Sequence, residues 1–355
     1  MSKKISYIIL SVFMLAVSGC DKPENQPVSP ACIERITVAT MNVDGLPLTV
    51  NIGRIARLVK DMVPPEFIDV DTETLLVNPD GPGIEGSRLI SEKIRQKGWD
   101  VFGLNEDFNY HKEVWNALES YCRGTYQGPI DSVRILEIFR KFLANETLFN
   151  TDGLELGVKK PYSIILGQEV IRPWKSDAVY GYTTNSNDKL TTKGFRYYQV
   201  CFDNKTNVDF IVLHADAGPD SADIQARQVG MLQLYDYITT EITTDNPLIL
   251  MGDFNCYYTR DRLKDLLIDR LNSNPAFEAG DAWIECTRDG GYPDISAPAV
   301  PGEQLDKIIY VNRRNSSIRL VPDFAARVTD FTYHDGRQLS DHYPLQASFL
   351  IERLD

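Results

Sequence analysis

Carboxylates, carboxamides and imidazoles recur in this chain at the ends of short apolar runs. Asn42 follows the run 36–41, Glu106 follows 99–105, His214 closes 208–214, and Asp253 and Asn255 follow 247–251. Asp306 opens the run up to 311, and Asp341 and His342 precede 344–351. Carboxylate and amide oxygens are the donors that hard divalent cations prefer, and an imidazole is the side chain best suited to proton transfer near neutrality. Any single Asp or Asn beside a Gly is usually a turn former. Six such positions, each at the end of a strand-like run, imply a shared site, because strand ends are rigid and their loops meet at one rim. The chain has four His, and two of them, His214 and His342, fall in this set.

The elements that must position these groups alternate along the chain. Periodicity of two or continuous apolar character predicts strands over 36–41, 99–105, 163–170, 195–202, 208–214, 247–251, 308–311 and 344–351. Helical spacing predicts helices over 52–62, 87–98, 112–121, 132–145, 224–242 and 261–271, and the Pro, Gly and Asp of 67–85 predict a loop. Strands that arrive in pairs as well as singly between helices imply mixed sheets. An α/β arrangement of two packed sheets with helices outside would bury a core of this size.

The residues around these positions carry a specific resemblance. Thr40-Met41-Asn42-Val43-Asp44-Gly45-Leu46-Pro47 resembles the opening Asn motif of the endonuclease/exonuclease/phosphatase superfamily. Leu104-Asn105-Glu106 is similar to its metal-ligand Glu motif, with Asn where Gln is the common neighbour. Leu213-His214-Ala215-Asp216-Ala217-Gly218 resembles the His motif, and Met251-Gly252-Asp253-Phe254-Asn255 the Gly-Asp-x-Asn signature. Leu305-Asp306-Lys307-Ile308 and Ser340-Asp341-His342-Tyr343-Pro344 are similar to the closing elements, and all six stand in the family's order.

The resemblance implies a four-layered α/β sandwich, two mixed β-sheets face to face and flanked by helices. It also implies hydrolysis of a phosphate ester by water with Mg²⁺, or Mn²⁺ or Ca²⁺ in its place. Asn42 and Glu106 would then be metal ligands, and Asp341 a ligand of a second ion or of the water network. Asp253 would position or deprotonate the attacking water, Asn255 would hold a phosphate oxygen, and His214 would donate to the phosphate. His342 would stabilise the phosphate or act as general acid or base, oriented by Asp306; the base is Asp253 or His342. Lys193, in a Lys-Gly pair entering a strand, His111, just past Glu106, and Arg260, just past Asn255, are the candidate substrate-binding groups. Equally ordinary roles exist for them: a solvated Lys at a turn, an exposed or helix-capping His, an Arg paired with Asp261. His334 reads as a surface loop residue.

Two substrates fit the resemblance. A lipid head-group phosphodiester, as in secreted sphingomyelinases, agrees with the style of Asn-Val-Asp-Gly-Leu-Pro and His-Ala-Asp-Ala-Gly. A nucleic acid, as in exported DNase-like endonucleases, is the alternative, and an inactive binding protein on the same fold is a third reading. A formal charge of −13 argues mildly against tight duplex binding, which rests on clustered Lys and Arg. Residues 67–85 and 174–182 are the candidate recognition loops, and no obligate protein partner is implied.

The chain begins like an exported protein. Lys3 and Lys4 precede an apolar run from 5 to 17, too short to span a bilayer, which needs about 20 residues. Val17-Ser18-Gly19-Cys20 resembles a bacterial lipoprotein processing site, which implies a lipidated Cys20 anchored to a membrane on its periplasmic or cell-surface side. The expected organisation is a leader over 1–20, a tether over 21–33 and one catalytic domain over 34–355. Beyond Cys20, five cysteines without zinc-like spacing define neither a metal cluster nor a disulfide pairing. If Cys20 carries the anchor, the wild-type protein partitions into detergent, and Cys20→Ala blocks processing or yields a soluble form. Recovery of the wild type only as a soluble protein starting past residue 20 would overturn the anchor.

Overall fold

The computed structural model describes residues 33–45, 81–129, 151–175, 191–288, 291–293 and 303–354. The leader, nearly all of the tether, the expected helices over 52–62 and 132–145 and most of both recognition loops lie outside them. Two mixed sheets form the frame. The first has the strand order β12-β13-β1-β2-β4-β3, with β1 Arg35–Asn42, β2 Val101–Asn105, β3 Tyr121–Arg123, β4 Glu155–Lys159, β12 Ile318–Arg327 and β13 Leu345–Arg353. The second runs β10-β11-β9-β8-β7-β5, with β6 also on β7. Its strands are β5 Ser163–Ile164, β6 Val170–Pro173, β7 Gly194–Asp203, β8 Thr206–His214, β9 Leu248–Asp253, β10 Phe277–Asp281 and β11 Asp306–Arg313.

Each sheet has one parallel pair at its centre, β1 with β2 and β8 with β9. Register then does the positioning. Asn42 pairs with Asn105 in the first sheet. In the second, Asp253 lies between His214 and Asp306.

Alternation of side chains explains the near-continuous apolar strands, because both faces are covered. Val208, Phe210 and Val212 of β8 join Ile36, Val38, Phe349 and Met251 in the core between the sheets. Ile211 and Leu213 face the other way, onto Met231 and Leu234 of the helix Ser221–Asp236. On the far side of the first sheet, Ala39, Met41, Phe102 and Leu104 pack on Ile90 and Ile94 of the helix Gly83–Lys97. This is the four-layered sandwich of two mixed sheets flanked by helices that the sequence implies.

Local departures have local causes. The helix expected over 112–121 is only His111–Val114, because Tyr121-Cys122-Arg123 is taken as an edge strand by β4. The strand expected over 163–170 is divided at Gly167, whose φ of 79° makes a turn, and both halves pair with β7. The expected loop ends early, since the first of these helices begins at Gly83. The helix over 224–242 closes in a π turn at Tyr237–Glu241. The one over 261–271 is broken where Arg262 takes a φ of 60°.

Gly252 shows how tightly the rim is built. It faces Leu213 across the parallel pair with a φ of 147°, and a Cβ there would stand 2.0 Å from the Leu213 carbonyl oxygen. Gly252→Ala is expected to lower the unfolding free energy by about 1–3 kcal/mol, read from urea melts. An unchanged midpoint would show that the pairing beside Asp253 tolerates a side chain.

Candidate active site

Sheet register brings the chemical groups to one rim, and the chain after each strand turns sharply there. Glu106 and Asn255 hold left-handed φ values of 58° and 49°, as does Asp44 at 49°. Few residues other than Gly adopt this conformation, and such strain concentrates at functional sites. The Asp253 side chain caps its own turn, its Oδ1 accepting the Asn255 N–H at 2.9 Å.

The first sheet contributes Asn42 and Glu106. The Asn42 Nδ2 donates to Glu106 Oε1 at 3.1 Å and to Asp253 Oδ2 at 3.3 Å, while its Oδ1 accepts the Asp44 N–H at 3.0 Å. The amide thus turns its nitrogen to the two carboxylates. The amide oxygen is thereby turned to the Asp44 backbone, and Asn42 ties Glu106 to Asp253. Burial holds the Glu106 carboxyl above its ordinary range, with Asp341 and Asp253 adding to the effect and the Asn42 and Lys193 side chains opposing it.

The second sheet contributes His214, Asp253 and Asp306, and the loop before β13 contributes His342. His214 Nε2 lies 3.5 Å from Asp253 Oδ2 and 3.9 Å from Glu106 Oε1. His342 Nε2 lies 3.6 Å from the same Asp253 oxygen, and its Nδ1 is 2.8 Å from Asp306 Oδ2. Two imidazoles therefore flank one buried carboxylate, in opposite states. Burial and the Lys193 charge push His214 down to about 3. Burial also works against charge on His342, but Asp306 and Asp253 outweigh it and raise that ring to about 11. The two rings in turn hold Asp253 below its ordinary value against the effect of burial.

The remaining predicted residues divide. Asn255 Nδ2 and Lys193 Nζ both donate to the Ala215 carbonyl, at 3.3 and 3.0 Å, which puts them beside His214. Asp341 is exposed at the rim and accepts from Ser340 Oγ at 3.3 Å. Arg260 takes the ordinary role: it pairs with Asp261 at 3.0 Å, donates to the Asn255 carbonyl at 3.3 Å and lies over the Tyr257 ring. His111 is neither exposed nor among the rim groups; its Nδ1 is 2.7 Å from Asp107 and its ring stacks on Tyr126. His334 is exposed.

Two contributors escape a reading by chemical type. Asn105 donates to the Leu213 carbonyl at 2.6 Å and accepts the Asp253 N–H at 3.2 Å, joining the two sheets at the site. The only sequence signal is its place before Glu106, where the family's common residue is Gln. Ser340 donates to the Asn42 carbonyl at 2.7 Å and accepts the His342 N–H at 3.1 Å, tying the last loop to the first strand.

With fold and site in view, the comparisons define the class. The chain belongs to the endonuclease/exonuclease/phosphatase family, whose model matches residues 42–342. It is similar to a sphingomyelinase of Mycobacterium tuberculosis, 27% identical over 246 residues, 68% of this chain and 48% of that one. The chain thus spans about half the length of the curated relatives it matches. Among solved structures it resembles an endonuclease/exonuclease/phosphatase family protein from Bacteroides thetaiotaomicron, with a TM-score of 0.55, 16% identity, and coverage of 90% of this chain and 99% of that one. It also resembles D. rerio TDP2 complexed with single strand DNA product, with a TM-score of 0.52, 14% identity, and coverage of 89% and 98%.

The opposite states of the two rings are directly measurable. In chelator-treated protein at pH 7, imidazole ¹⁵N spectra should show His342 doubly protonated and His214 neutral. Because the folded pKa of His342, about 11, exceeds the ordinary 6.5, its charge stabilises the fold fully below pH 6.5, and that contribution is lost as pH rises through about 11. His214, held at about 3, acts in the other direction: the unfolded chain gains a proton below pH 6.5 that the folded chain refuses. A His342 midpoint near 6.5 would overturn this assignment.

Proposed function

We propose that this protein is a divalent-cation-dependent phosphodiesterase that hydrolyses a lipid head-group phosphodiester of the sphingomyelin type. The observation that carries the reading is the flanking of Asp253 by His214 at 3.5 Å and His342 at 3.6 Å, with Glu106 joined to the same carboxylate through Asn42. Similarity to a sphingomyelinase and the lipoprotein-like leader favour the lipid over a nucleic acid.

The donors present fit a hard cation. Glu106 and Asp341 offer carboxylate oxygens, and burial, with the like charges of Asp341 and Asp253, disfavours the charged form of Glu106, which a cation would relieve. Glu106, with Asp341 beside it, would hold the ion, which supplies charge to a phosphate oxygen and to the leaving oxygen.

The protein's own groups divide the proton work. His342 already carries its proton, so it serves as a donor to the phosphate rather than as a base. Asp306, at 2.8 Å from Nδ1, keeps Nε2 turned to the substrate. Asp253, kept anionic chiefly by the charge on His342, takes a proton from the attacking water as the water oxygen bonds to phosphorus; the ester P–O bond breaks and the departing alkoxide takes its proton from solvent water. His214 and Asn255, both beside Asp253, would donate to phosphate oxygens, and Lys193 would add positive charge on the same flank.

A substrate panel tests the reading. Mature protein with Mg²⁺ should hydrolyse sphingomyelin in vesicles faster than duplex or single-stranded DNA, and EDTA should abolish turnover. Glu106→Gln should reduce it on the order of a hundredfold, the scale of losing a key electrostatic group, with the fold retained by circular dichroism. Turnover of DNA alone would make the protein an exported nuclease, and wild-type turnover in Glu106→Gln would remove Glu106 from the site.

A further inference from the structure

We infer that Asp107, His111 and Glu155 form a second divalent-cation site, of the Zn²⁺ or Mn²⁺ class, on the turn that follows Glu106 and apart from the catalytic machinery. The three side chains come from the turn after β2, the start of the short helix His111–Val114 and the first residue of β4. Their relative exposures are 1%, 5% and 0%, and one potential ligand atom from each lies within 4.8 Å of the other two.

Hydrogen bonding supplies the independent argument. Both oxygens of Glu155 are buried without a hydrogen-bond partner, and so is Oδ1 of Asp107. Buried polar atoms are almost always satisfied, and a buried carboxylate is costly unless paired, neutralised or bound to a metal. Burial and the neighbouring Asp107 push Glu155 well above the ordinary carboxylate range, while Arg196 and Arg123 pull it down. Two buried carboxylates with unsatisfied oxygens, each with one potential ligand atom within 4.8 Å of an imidazole nitrogen, are a donor set for a borderline divalent ion.

The surroundings allow such an ion to enter. A cavity of about 750 Å³ lies alongside, lined in part by His111, Trp115, Arg123 and Tyr126. The exposed Arg123 closes the cluster from that side: its guanidinium donates to His111 Nε2, which leaves the ring proton on Nδ1, against Asp107. Arg123 thus supplies the positive charge that a metal would supply. When a cation binds Nδ1, the ring proton moves to Nε2 and Arg123 swings away toward Trp115, over whose ring it already sits at 5.4 Å. A bound ion would also brace the turn that holds Glu106 in its left-handed conformation.

Equilibrium dialysis against Zn²⁺ alone, and then Mn²⁺ alone, tests the inference by difference. In a Glu106→Gln background the mature protein should take up one equivalent of ion and melt at a higher temperature with it. Adding Glu155→Gln should remove that equivalent and the thermal shift. Adding Arg123→Gln, which deletes the competing cation, should tighten binding on the order of tenfold. Should Glu155→Gln fail to fold, His111→Gln serves in its place, since that ring borders the cavity. Equal uptake by Glu106→Gln and by either folded double variant would overturn the site, as would no uptake by Glu106→Gln itself. The difference is independent of the substrate and of whether Glu106 binds the catalytic ion.

Discussion

The catalytic rim depends on directional bonds between two sheets that are otherwise held together by apolar contact. Val38, Phe210, Met251 and Phe349 attract one another across the interface, but hydrophobic attraction has no preferred register. Asn105 supplies one: from the end of β2 it donates to the Leu213 carbonyl and accepts the Asp253 N–H. Asn42 adds a bond to the Asp253 carboxylate from the neighbouring strand. Both amides are buried, so losing either would leave polar groups unmatched, at about 1–3 kcal/mol for each. The separation between Glu106 and the Asp253–His pair is therefore set by these two buried amides.

Around that frame, charge is arranged so that neighbours impose different states on similar groups. His214 and His342 approach the same oxygen of Asp253, yet one faces Lys193 and the other faces Asp306. The loop beyond Asn255 is held in the same manner. Asp261 pairs with the buried Arg227 at 2.7 Å and accepts the Tyr257 N–H, while Arg227 also donates to the carbonyls of Asp216 and Gly218. These contacts join the loops after β8 and β9, so Asn255 is supported from behind by a buried ion pair. Arg260 joins this scaffold through its pair with Asp261 at 3.0 Å.

Much of this was legible in the sequence because the strands are apolar on both faces and end in polar residues. The runs ending at Asn42, His214 and Asp253 mark β1, β8 and β9 to within a residue or two, and the site residues appear where those runs stop. Strands without a clean apolar run were harder to read. The strand β12 carries Pro322 and a register shift between Pro322 and Phe324, which disguise it as a loop, and β4 is a five-residue strand containing Glu155 and Gly157. Nor does a residue's type reveal which end of an amide faces its neighbour: Asn42 has a suitable oxygen, but the Asp44 backbone claims it. The place of His111 was hard to read for a related reason. Its closeness to Glu106 in sequence suggested the rim, whereas the turn carries it to Asp107 and Arg123.

The order of strands also sets when the rim can exist. The last strand, β13, does not lie at an edge; it sits between β12 and β1, pairing residues 345–350 with 35–40. The loop just before it brings His342, and Ser340 closes on the first strand. Until residues 342–350 have folded back, β1 lacks this antiparallel neighbour, and Asp306 and Asp253 lack the imidazole they share. A chain that stops short of residue 342 thus lacks one of the two rings that flank Asp253. Pairing between segments as distant in sequence as 35–40 and 345–350 is the kind of contact a fold makes most slowly, so the rim is closed late in folding.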